Sequence, residues 1–509
     1  MAGTTPRILE RLNSLPNDRL AGIRRGVEKE SLRVLTDCHL ALTPHPAALG
    51  SALTHPCITT DFSESQVELI TGVHGSAESC LEELTRIHQF VYRAIEDERL
   101  WVASMPCRLP PDAQIPIARY GTSNIGRAKS VYRVGIGHRY GRRMQTISGI
   151  HYNWSMPGIG TADYFALIRN FRRRAFLLIY LFGASPAVDA SFVADRQHSL
   201  QPLAEGTFGR LHATSLRMGR LGYQSNAQAA LAVSYNCLES YAASLHEAMV
   251  RPYPAYEAIG VQGDDGEYRQ LSTTLLQIEN EFYGTIRPKR VINKGERPLH
   301  ALRERGVEYI EVRCMDLDPF VPVGIAPATA RFLDIFLLHC LLADSPPDTP
   351  DECAALARNQ EAVSARGREP GLRLERDGHE VSLVEWGQEL LDEFVPIAAR
   401  LDARVGGTDH HEALEAARAA LADPSKLPSA RVLAAMATEF AGSHLDFVRS
   451  CSEATRRALL GLEWSDAAAG HFHALAEASR REQAVVEASD RLSFEAFRQH
   501  YLSPRQLQP

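Results

Sequence analysis

No Cys-x-x-Cys pair occurs among the nine cysteines (38, 57, 80, 107, 237, 314, 340, 353 and 451), an odd and scattered set. A structural zinc site and a disulfide framework are therefore not expected; reduced thiols in a reducing compartment, the cytoplasm, are. No electropositive Cys–His pair is visible either, so no cysteine reads as a nucleophile. The segment 1–7, soon followed by Asn13, Asp18 and Arg19, lacks the apolar core of a signal peptide. The best membrane candidate, Ala175–Val188, is too short for a bilayer and is broken by Gly183 and Pro186, which makes it a buried core segment. Positive charge is not in excess: 62 acids against 55 bases give −7, which excludes a general drive toward nucleic acid or anionic membrane. No repeat of fixed period is present.

What is present is a polar alternation in five otherwise hydrophobic segments. Glu28 and Glu30 sit in Gly26–Val34; Glu64, Gln66 and Glu68 alternate with Val67 and Leu69 after Asp61; His151, Asn153 and Ser155 alternate with Ile150, Tyr152 and Trp154. Glu279 and Glu281 are spaced likewise, as are Glu311 and Arg313 among Ile310, Val312 and Cys314. Strand side chains alternate faces, so each run offers one polar and one largely apolar face. A half-solvated antiparallel sheet is the ordinary explanation. The excess of Glu, a poor strand former, argues for something more. Two carboxylates about 4 Å apart repel by roughly 4 kcal/mol at an effective dielectric near 20. A hard divalent ion such as Mg²⁺ converts that repulsion into binding and keeps positions open for phosphate.

At 509 residues, 45% hydrophobic and 23% charged, the chain has the makeup of a globular protein with one large core or two smaller ones. A helix is expected near Ile8–Leu15, strands at 26–34 and Asp61–Gly72, and an amphipathic helix over Ala77–Trp101. Residues 102–126 read as loop, Met144–Met156 as strand, Asp163–Phe182 and Ser225–Met249 as helices, and the Glu279 and Glu311 segments as further strands. Beyond Pro327, past the breaker cluster Asp344–Pro350, helices are expected over Ser382–Arg400, His411–Ala422, Ser429–Arg449 and Ala467–Ala488. The expected architecture is an α+β catalytic body (1–326) with a mostly antiparallel sheet, packed against a mostly helical C-terminal region (327–509).

Gly121–Arg127 approaches a phosphate loop but has Arg127 where that motif needs Lys, and Ala128 where it needs Ser or Thr, so it is rejected. It opens a basic run of Arg127, Lys129, Arg133, Arg139, Arg142 and Arg143, whose ordinary reading is a charged surface. A second run, Ile286–Arg290, follows Glu279–Tyr283 closely enough to bring phosphate-binding cations beside the acids, as phosphoryl transfer requires; for Arg290 a salt-bridged turn serves equally. His151 reads as a metal ligand, an anion donor or a satisfied core histidine.

The chain closely resembles the proteobacterial type of glutamate–cysteine ligase (gamma-glutamylcysteine synthetase). The matching stretches are Arg25–Val34, Ile58–Phe62, Tyr120–Asn124 with Gly126–Arg127, Met144–Asn153, Tyr180–Pro186, Thr214–Arg217, Gln277–Glu281, Ile286–Arg290 and Gly306–Arg313. The resemblance implies a glutamine-synthetase-like curved antiparallel sheet forming a funnel, with ATP and Mg²⁺ (Mn²⁺ as alternative) entering at one end and the amino acids at the other. It also implies ATP-dependent joining of the γ-carboxylate of L-glutamate to the amine of L-cysteine through γ-glutamyl phosphate, the first step of glutathione biosynthesis. Feedback inhibition by glutathione is implied too; a monomer or weak oligomer, without nucleic-acid or membrane partners, is expected.

By the same resemblance, Glu28, Glu30, Asp61, Glu68 and Glu311 are expected at the metal, with His151 beside the metal or the phosphoryl group. Arg313 and Arg217 are expected on the glutamate carboxylate or the phosphorylated species. Phe62, Tyr132, Gln145 and Tyr223 are expected in the cysteine pocket, and Arg133, Arg287 and Lys289 on anions. Glu279 and Glu281 are possible further acids, one of them a candidate structural ion-pair partner. Two departures stand out: Ser63–Val67 is more polar than the family pattern, and Val134–His138 lacks an acid expected after Arg133. Rival readings are a ligase of the same superfold with another amine acceptor, a kinase on that superfold, and a non-catalytic metal- or nucleotide-binding regulator.

Overall fold

The computed structural model describes residues 4–222, 227, 231, 233–293 and 295–507. Seven strands form the main sheet: β1 (Arg24–Val34), β2 (Ile58–Thr60), β3 (Gln66–Ile70), β4 (Arg99–Leu100), β5 (Ile150–Ser155), β6 (Ile286–Lys289) and β7 (Tyr309–Met315). Their order is β2-β3-β1-β5-β7-β6, with β4 also paired to β1. Every pairing is antiparallel, and the sheet is open.

Register builds the site. Glu30 faces Glu68 across β1 and β3, Glu28 faces His151 across β1 and β5, and Glu311 faces both Asn153 and Arg287. Directly opposed residues share a face, so one face carries these acids together with His151, Asn153 and Arg287. The other face carries Val27, Val67, Leu69, Ile150, Tyr152, Trp154, Ile310 and Val312, all buried in one apolar cluster with the helices Ala77–Ala94, Thr161–Phe182 and Pro327–Leu342. The same cluster takes in Leu390, Leu391, Phe394 and Leu414 from the helices Leu383–Val405 and Asp409–Ala422 of the C-terminal region. Ala175–Val188 is core as expected, and among the described residues no helix is long and apolar enough to cross a membrane.

Charged groups on the core face find partners, as burial demands. Arg25 binds Asp334 at 2.8 Å, and Tyr152 donates to the same carboxylate at 2.9 Å. Lys29, between Glu28 and Glu30 in sequence, points the opposite way and donates from Nζ to His88 Nε2 at 2.7 Å. Burial brings its pKa down to about 7.

Several sequence expectations need correction. The Glu279 segment is no strand: Glu279–Glu281 is a single 3-10 turn. Asp61–Gly72 is a hairpin partner with a turn rather than one strand, since Asp61–Ser65 connects β2 to β3. The helix expected to reach Trp101 ends at Ala94, Glu96 takes a left-handed φ of 49°, and Arg99–Leu100 joins the sheet. Met144–Thr146 is a 3-10 turn ahead of β5, and Arg127, Lys129, Arg133 and Arg139 of the first basic run lie on a helix, Asn124–Tyr140, with Arg142 and Arg143 just past its end. The 429–449 helix divides at Ala441 and Gly442, both with positive φ (49° and 80°). Of 225–249, the described helix is Leu238–Val250; 225–226, 228–230 and 232 lie outside the described residues. An unexpected hairpin, Arg373–Arg376 with His379–Ser382, turns on Asp377-Gly378, both at positive φ, as a tight hairpin requires.

Candidate active site

The acid face converges on His151. Its Nδ1 donates to Glu28 Oε2 at 3.3 Å and lies 3.8 Å from Glu311 Oε1, while Nε2 lies 3.7 Å from Glu30 Oε1. Asn153 donates to the second oxygen of Glu28 at 2.9 Å, and Gly149 N–H to Glu30 Oε2 at 2.7 Å. Burial, reinforced by neighbouring Asp61, pushes the Glu30 carboxyl up to about 8. Glu68 is driven well above its ordinary range by burial and by the charges of Glu28, Asp61 and Glu30. Glu28, Glu30, Asp61 and Glu68 thus feel one another's charge, Glu311 joins them through Glu28 and His151, and Asp61 reaches them from the β2–β3 turn rather than from a strand.

The cations gather at one end of this face. Glu311 is met by Arg313 at 3.1 Å, Lys289 at 3.3 Å and Arg287 at 3.8 Å. Burial opposes its charge, but Lys289, Arg313 and Arg287 outweigh burial and hold it ionised well below the usual range. For Glu28, burial and Glu311 push upward, and the His151 hydrogen bond with the Lys289 charge brings it below normal. His151 is kept neutral by burial and by Arg313. Arg217, 1% exposed, donates to the carbonyl of Arg313 at 2.9 Å and stands 3.8 Å from Asp316. Asp316 is held by Ala184 N–H (2.9 Å), Ser185 Oγ (2.6 Å) and Ser215 Oγ (3.0 Å), so the Tyr180–Pro186 and Thr214–Arg217 stretches fix the carboxylate beside Arg217.

The helix Asn124–Tyr140 closes another side. Arg133 donates to the carbonyl of Asp61 and lies over the ring of Tyr120 at 4.6 Å; Lys129 lies over the same ring at 5.2 Å. Tyr132 is half-buried, and burial raises its phenol pKa. Phe62, buried in the turn after β2, abuts this helix, with Cζ 3.6 Å from where a Gly137 Cβ would lie. Gln145 is buried and accepts from Tyr283 OH at 3.0 Å. Tyr223 lies outside the described residues.

Other sequence candidates go elsewhere. Glu279 pairs with Arg297 (2.5 Å) and Glu281 with Arg139 (2.8 Å), so both are structural ion-pair partners. Glu64 accepts from the backbone N–H groups of His45 and Arg119, each at 2.9 Å, and pins two loops. Arg290 sits in a turn, donating to Gly306 O at 3.1 Å with Glu308 at 3.9 Å. Of the first basic run only Lys129 and Arg133 face the acids; Arg127 packs on Phe494 and Arg142 binds the carbonyls of Ala113 and Ile115. Sequence reasoning missed Asp316 and Tyr283. Asp316 stands three residues past Arg313, off the alternation, and Tyr283 had only its proximity to Glu281 to mark it.

The donor set fits a hard divalent cation. Oxygens of Glu28 and Glu311 and a ring nitrogen of His151 lie within 4.8 Å of one another. His151 Nε2 and Asn153 Oδ1 are buried without a hydrogen-bond partner among the described residues, while Glu311 Oε2 is met only by the ion pairs to Arg313 and Arg287. Carboxylate oxygens are the ligands Mg²⁺ takes, and the flanking Arg and Lys groups suit phosphate.

Comparisons with known proteins give the family. The family model described as glutamate-cysteine ligase matches residues 9–159 and 158–363. A glutamate–cysteine ligase of Bordetella petrii is 48% identical over 95% of each chain, and that of Azotobacter vinelandii 50% identical over 93% of each. The solved structure of a glutamate–cysteine ligase from Francisella tularensis in complex with AMP superposes with a TM-score of 0.90 at 35% identity, covering 95% of this chain and 98% of that one. On residue matches spanning most of its length and on a shared fold, this chain belongs to the glutamate–cysteine ligase family.

Proposed function

We propose that the sheet face divides the labour of ATP-dependent γ-glutamylcysteine formation, the reaction of this family, among the residues described above. Glu28, Glu30, Asp61, Glu68 and Glu311 hold Mg²⁺, or Mn²⁺ in its place. A divalent cation held there would supply charge neutralisation for the phosphoryl transfer. Arg287 and Lys289 contact the phosphates of ATP, and Arg313 meets the charge that develops on the transferred phosphoryl group.

An oxygen of the glutamate γ-carboxylate attacks the γ-phosphorus and ADP leaves. The cysteine amine then attacks the activated carbonyl, phosphate departs and the amine loses its proton. A carboxylate is a poor acyl donor until phosphate becomes its leaving group, so this chain's residues mainly position reactants and offset charge. Arg217 fixes the backbone at Arg313 and faces the glutamate. Neutral His151 orients Glu28 through Nδ1. Phe62, Tyr132 and Gln145 line the cysteine pocket with Tyr223, and Arg133 contributes a cation beside it. The reading extends to a cytoplasmic monomer or weak oligomer inhibited by glutathione.

The carrying observation is the register that sets Glu28, Glu30, Glu68 and Glu311 on one face with His151 and Arg287. The test is phosphate release from ATP with glutamate present and cysteine added or withheld, with amide product followed in parallel. Turnover is expected to depend on cysteine, and Glu28→Gln is expected to lower it about 10²-fold or more while shifting the Mg²⁺ titration to higher concentration. Equal rates and equal Mg²⁺ dependence in the two proteins would contradict the metal assignment; phosphate transfer without amide would indicate a kinase.

A further inference from the structure

The glycine-rich loop Gly121–Arg127, rejected as a phosphate loop, has a protein partner. Gly121 is at φ 78°, and a Cβ there would lie 2.2 Å from Gln483 Nε2 and 2.3 Å from Glu487 Oε1, both on the C-terminal helix Asp466–Ser489. Glu487 Oε1 accepts from Thr122 N–H at 2.8 Å, Asp490 Oδ2 accepts from Asn124 N–H at 2.5 Å, and Asn124 Nδ2 donates to Leu492 O at 3.0 Å. Arg127 then lies over the ring of Phe494 at 4.3 Å.

These contacts fall on a helix that needs them. Asn124–Tyr140 has no acid in its own first turn, although His138 and Arg139 occupy its last. The positive end of its dipole and its unpaired first amides call for anionic acceptors. Ser123 Oγ caps the Gly126 amide, Asp490 takes the Asn124 amide, and Glu487 holds Thr122 N–H just ahead of the helix, the two acids coming from more than 360 positions along the chain. A second connection reaches the middle of the helix. Arg498 NH1 donates to Leu271 O at 2.5 Å, Leu271 N–H donates to Gln277 Oε1 at 2.8 Å, and Gln277 Nε2 donates to Tyr132 O at 3.2 Å. Gln277 also fills the space a Gly135 Cβ would take, 2.3 Å away.

We propose that the C-terminal segment 483–501 is a clamp that sets the helix Asn124–Tyr140 against the β2–β3 turn, with Glu487 and Asp490 as positioning residues for Tyr132 and Arg133 and hence for the amino-acid acceptor. The proposal rests on the assignment of Tyr132 to the cysteine pocket. Among the described residues, 483–501 makes no hydrogen bond or ion pair with Glu28, Glu30, Glu68, Glu311 or β6, and its link to the acids runs through Arg133 and the backbone carbonyl of Asp61, so the larger effect falls on the acceptor and the smaller on the nucleotide.

The experiment compares full-length wild type with Glu487→Ala/Asp490→Ala, Asp490→Ala, Asp490→Asn and Tyr132→Ala by steady-state kinetics in all three substrates. The double variant is expected to raise the KM for cysteine about tenfold, with the KM for ATP and kcat within about twofold of wild type. Asp490→Asn, which keeps an acceptor for the Asn124 amide, is expected to stay near wild type. If the double variant proves unfolded, Asp490→Ala is judged on the same ratio of cysteine to ATP effects. An unchanged cysteine KM in the clamp variants while Tyr132→Ala raises it overturns the clamp alone. An unchanged cysteine KM in Tyr132→Ala overturns the pocket assignment and the clamp with it. A parallel loss in all three KM values and in thermal stability would reduce the segment to general scaffolding and likewise overturn the proposal.

Discussion

Gly149 packs tightly beside the acid face, and Gly149→Ala is a sharp steric test of the site. A Cβ at this position would lie 2.0 Å from Nη2 of Arg217, 2.4 Å from its Cζ and 2.7 Å from its Nε. Heavy atoms out of hydrogen-bond contact settle near 3.5 Å, so the guanidinium would have to retreat by roughly 1.5 Å. The backbone of Gly149 has no freedom to yield, because its N–H donates to Glu30 Oε2 at 2.7 Å and its C=O accepts from Glu30 N–H at 3.1 Å. Arg217 is anchored too, through Arg313 O at 2.9 Å and Asp316 at 3.8 Å. Breaking the charged hydrogen bond to Arg313 costs about 1.5–3 kcal/mol. A displacement of about 1 Å in a positioning group lowers turnover about 10²-fold.

The assay is cysteine-dependent phosphate release, with kcat/KM for glutamate as the readout and urea unfolding alongside. Gly149→Ala is expected to lose about 10²-fold in kcat/KM and about 2 kcal/mol in stability. Because the damage is routed through one side chain, it should vanish where that side chain is gone: adding Gly149→Ala to Arg217→Ala should cost almost nothing more. A Gly149→Ala enzyme within threefold of wild type, or a full additive loss on the Arg217→Ala background, would refute the reasoning.

Other consequences concern the acids outside the site, the pocket wall and the buried histidines. Glu281→Gln strands Arg139, and Glu279→Gln strands Arg297, guanidiniums that are 0% and 1% exposed; each change is expected to cost about 3–5 kcal/mol in urea unfolding with KM for ATP unaltered. A stable Glu279→Gln protein without turnover would return that acid to the reaction centre. Tyr283→Phe removes the hydroxyl that donates to Gln145 and is expected to raise the cysteine KM about fivefold, measured against an unchanged ATP KM. Burial brings His339 and His444 each down to about 4. In the unfolded chain they titrate near 6.5, so the unfolded state binds more protons between these values. Their contribution is fully present above about pH 6.5 and is lost as pH falls toward 4, by up to about 3 kcal/mol each. Melting curves from pH 7 to 4.5 should show the decline, shallower in His444→Phe; an identical slope would contradict it.

What could be read from sequence follows from how local each determinant is. β1, β5 and β7 carry enough alternating residues to specify strand and face together, and their acids arrived where alternation placed them. Ile278–Phe282 mimics the same spacing over too short a span. What decides its shape is Glu279 with Arg297 and Glu281 with Arg139, pairings between distant segments that no local period encodes. The β2–β3 turn was hidden for the opposite reason. Glu64 continues the polar alternation of Gln66 and Glu68, yet Ser63, donating to Pro116 O at 2.7 Å, Glu64, holding Arg119 N–H, and the turn bond from Gln66 N–H to Ser63 O show that the chain has left the sheet. Arg287 and Lys289 read as a basic run, yet Pro288 between them is compatible with a strand because β6 is an edge.

Register explains why Lys29 belongs in the core despite its charge. The sequence Glu28-Lys29-Glu30 places a cation between two acids, and in a solvated strand it would serve as their neutralising neighbour. Here it points away from them, to His88 Nε2, whose own Nδ1–H is spent on Leu84 O at 2.7 Å, so the ring can only accept. A one-residue slip of β1 would exchange the faces, putting Glu28 and Glu30 among Leu84, Ile87 and Leu69 and Lys29 among the acids. The ring of His88 offers an acceptor to an ammonium and nothing to a carboxylate. The pair therefore penalises the slipped register twice, by two unpaired buried carboxylates and by an unmet ring nitrogen, and so fixes which way Glu28 and Glu30 face.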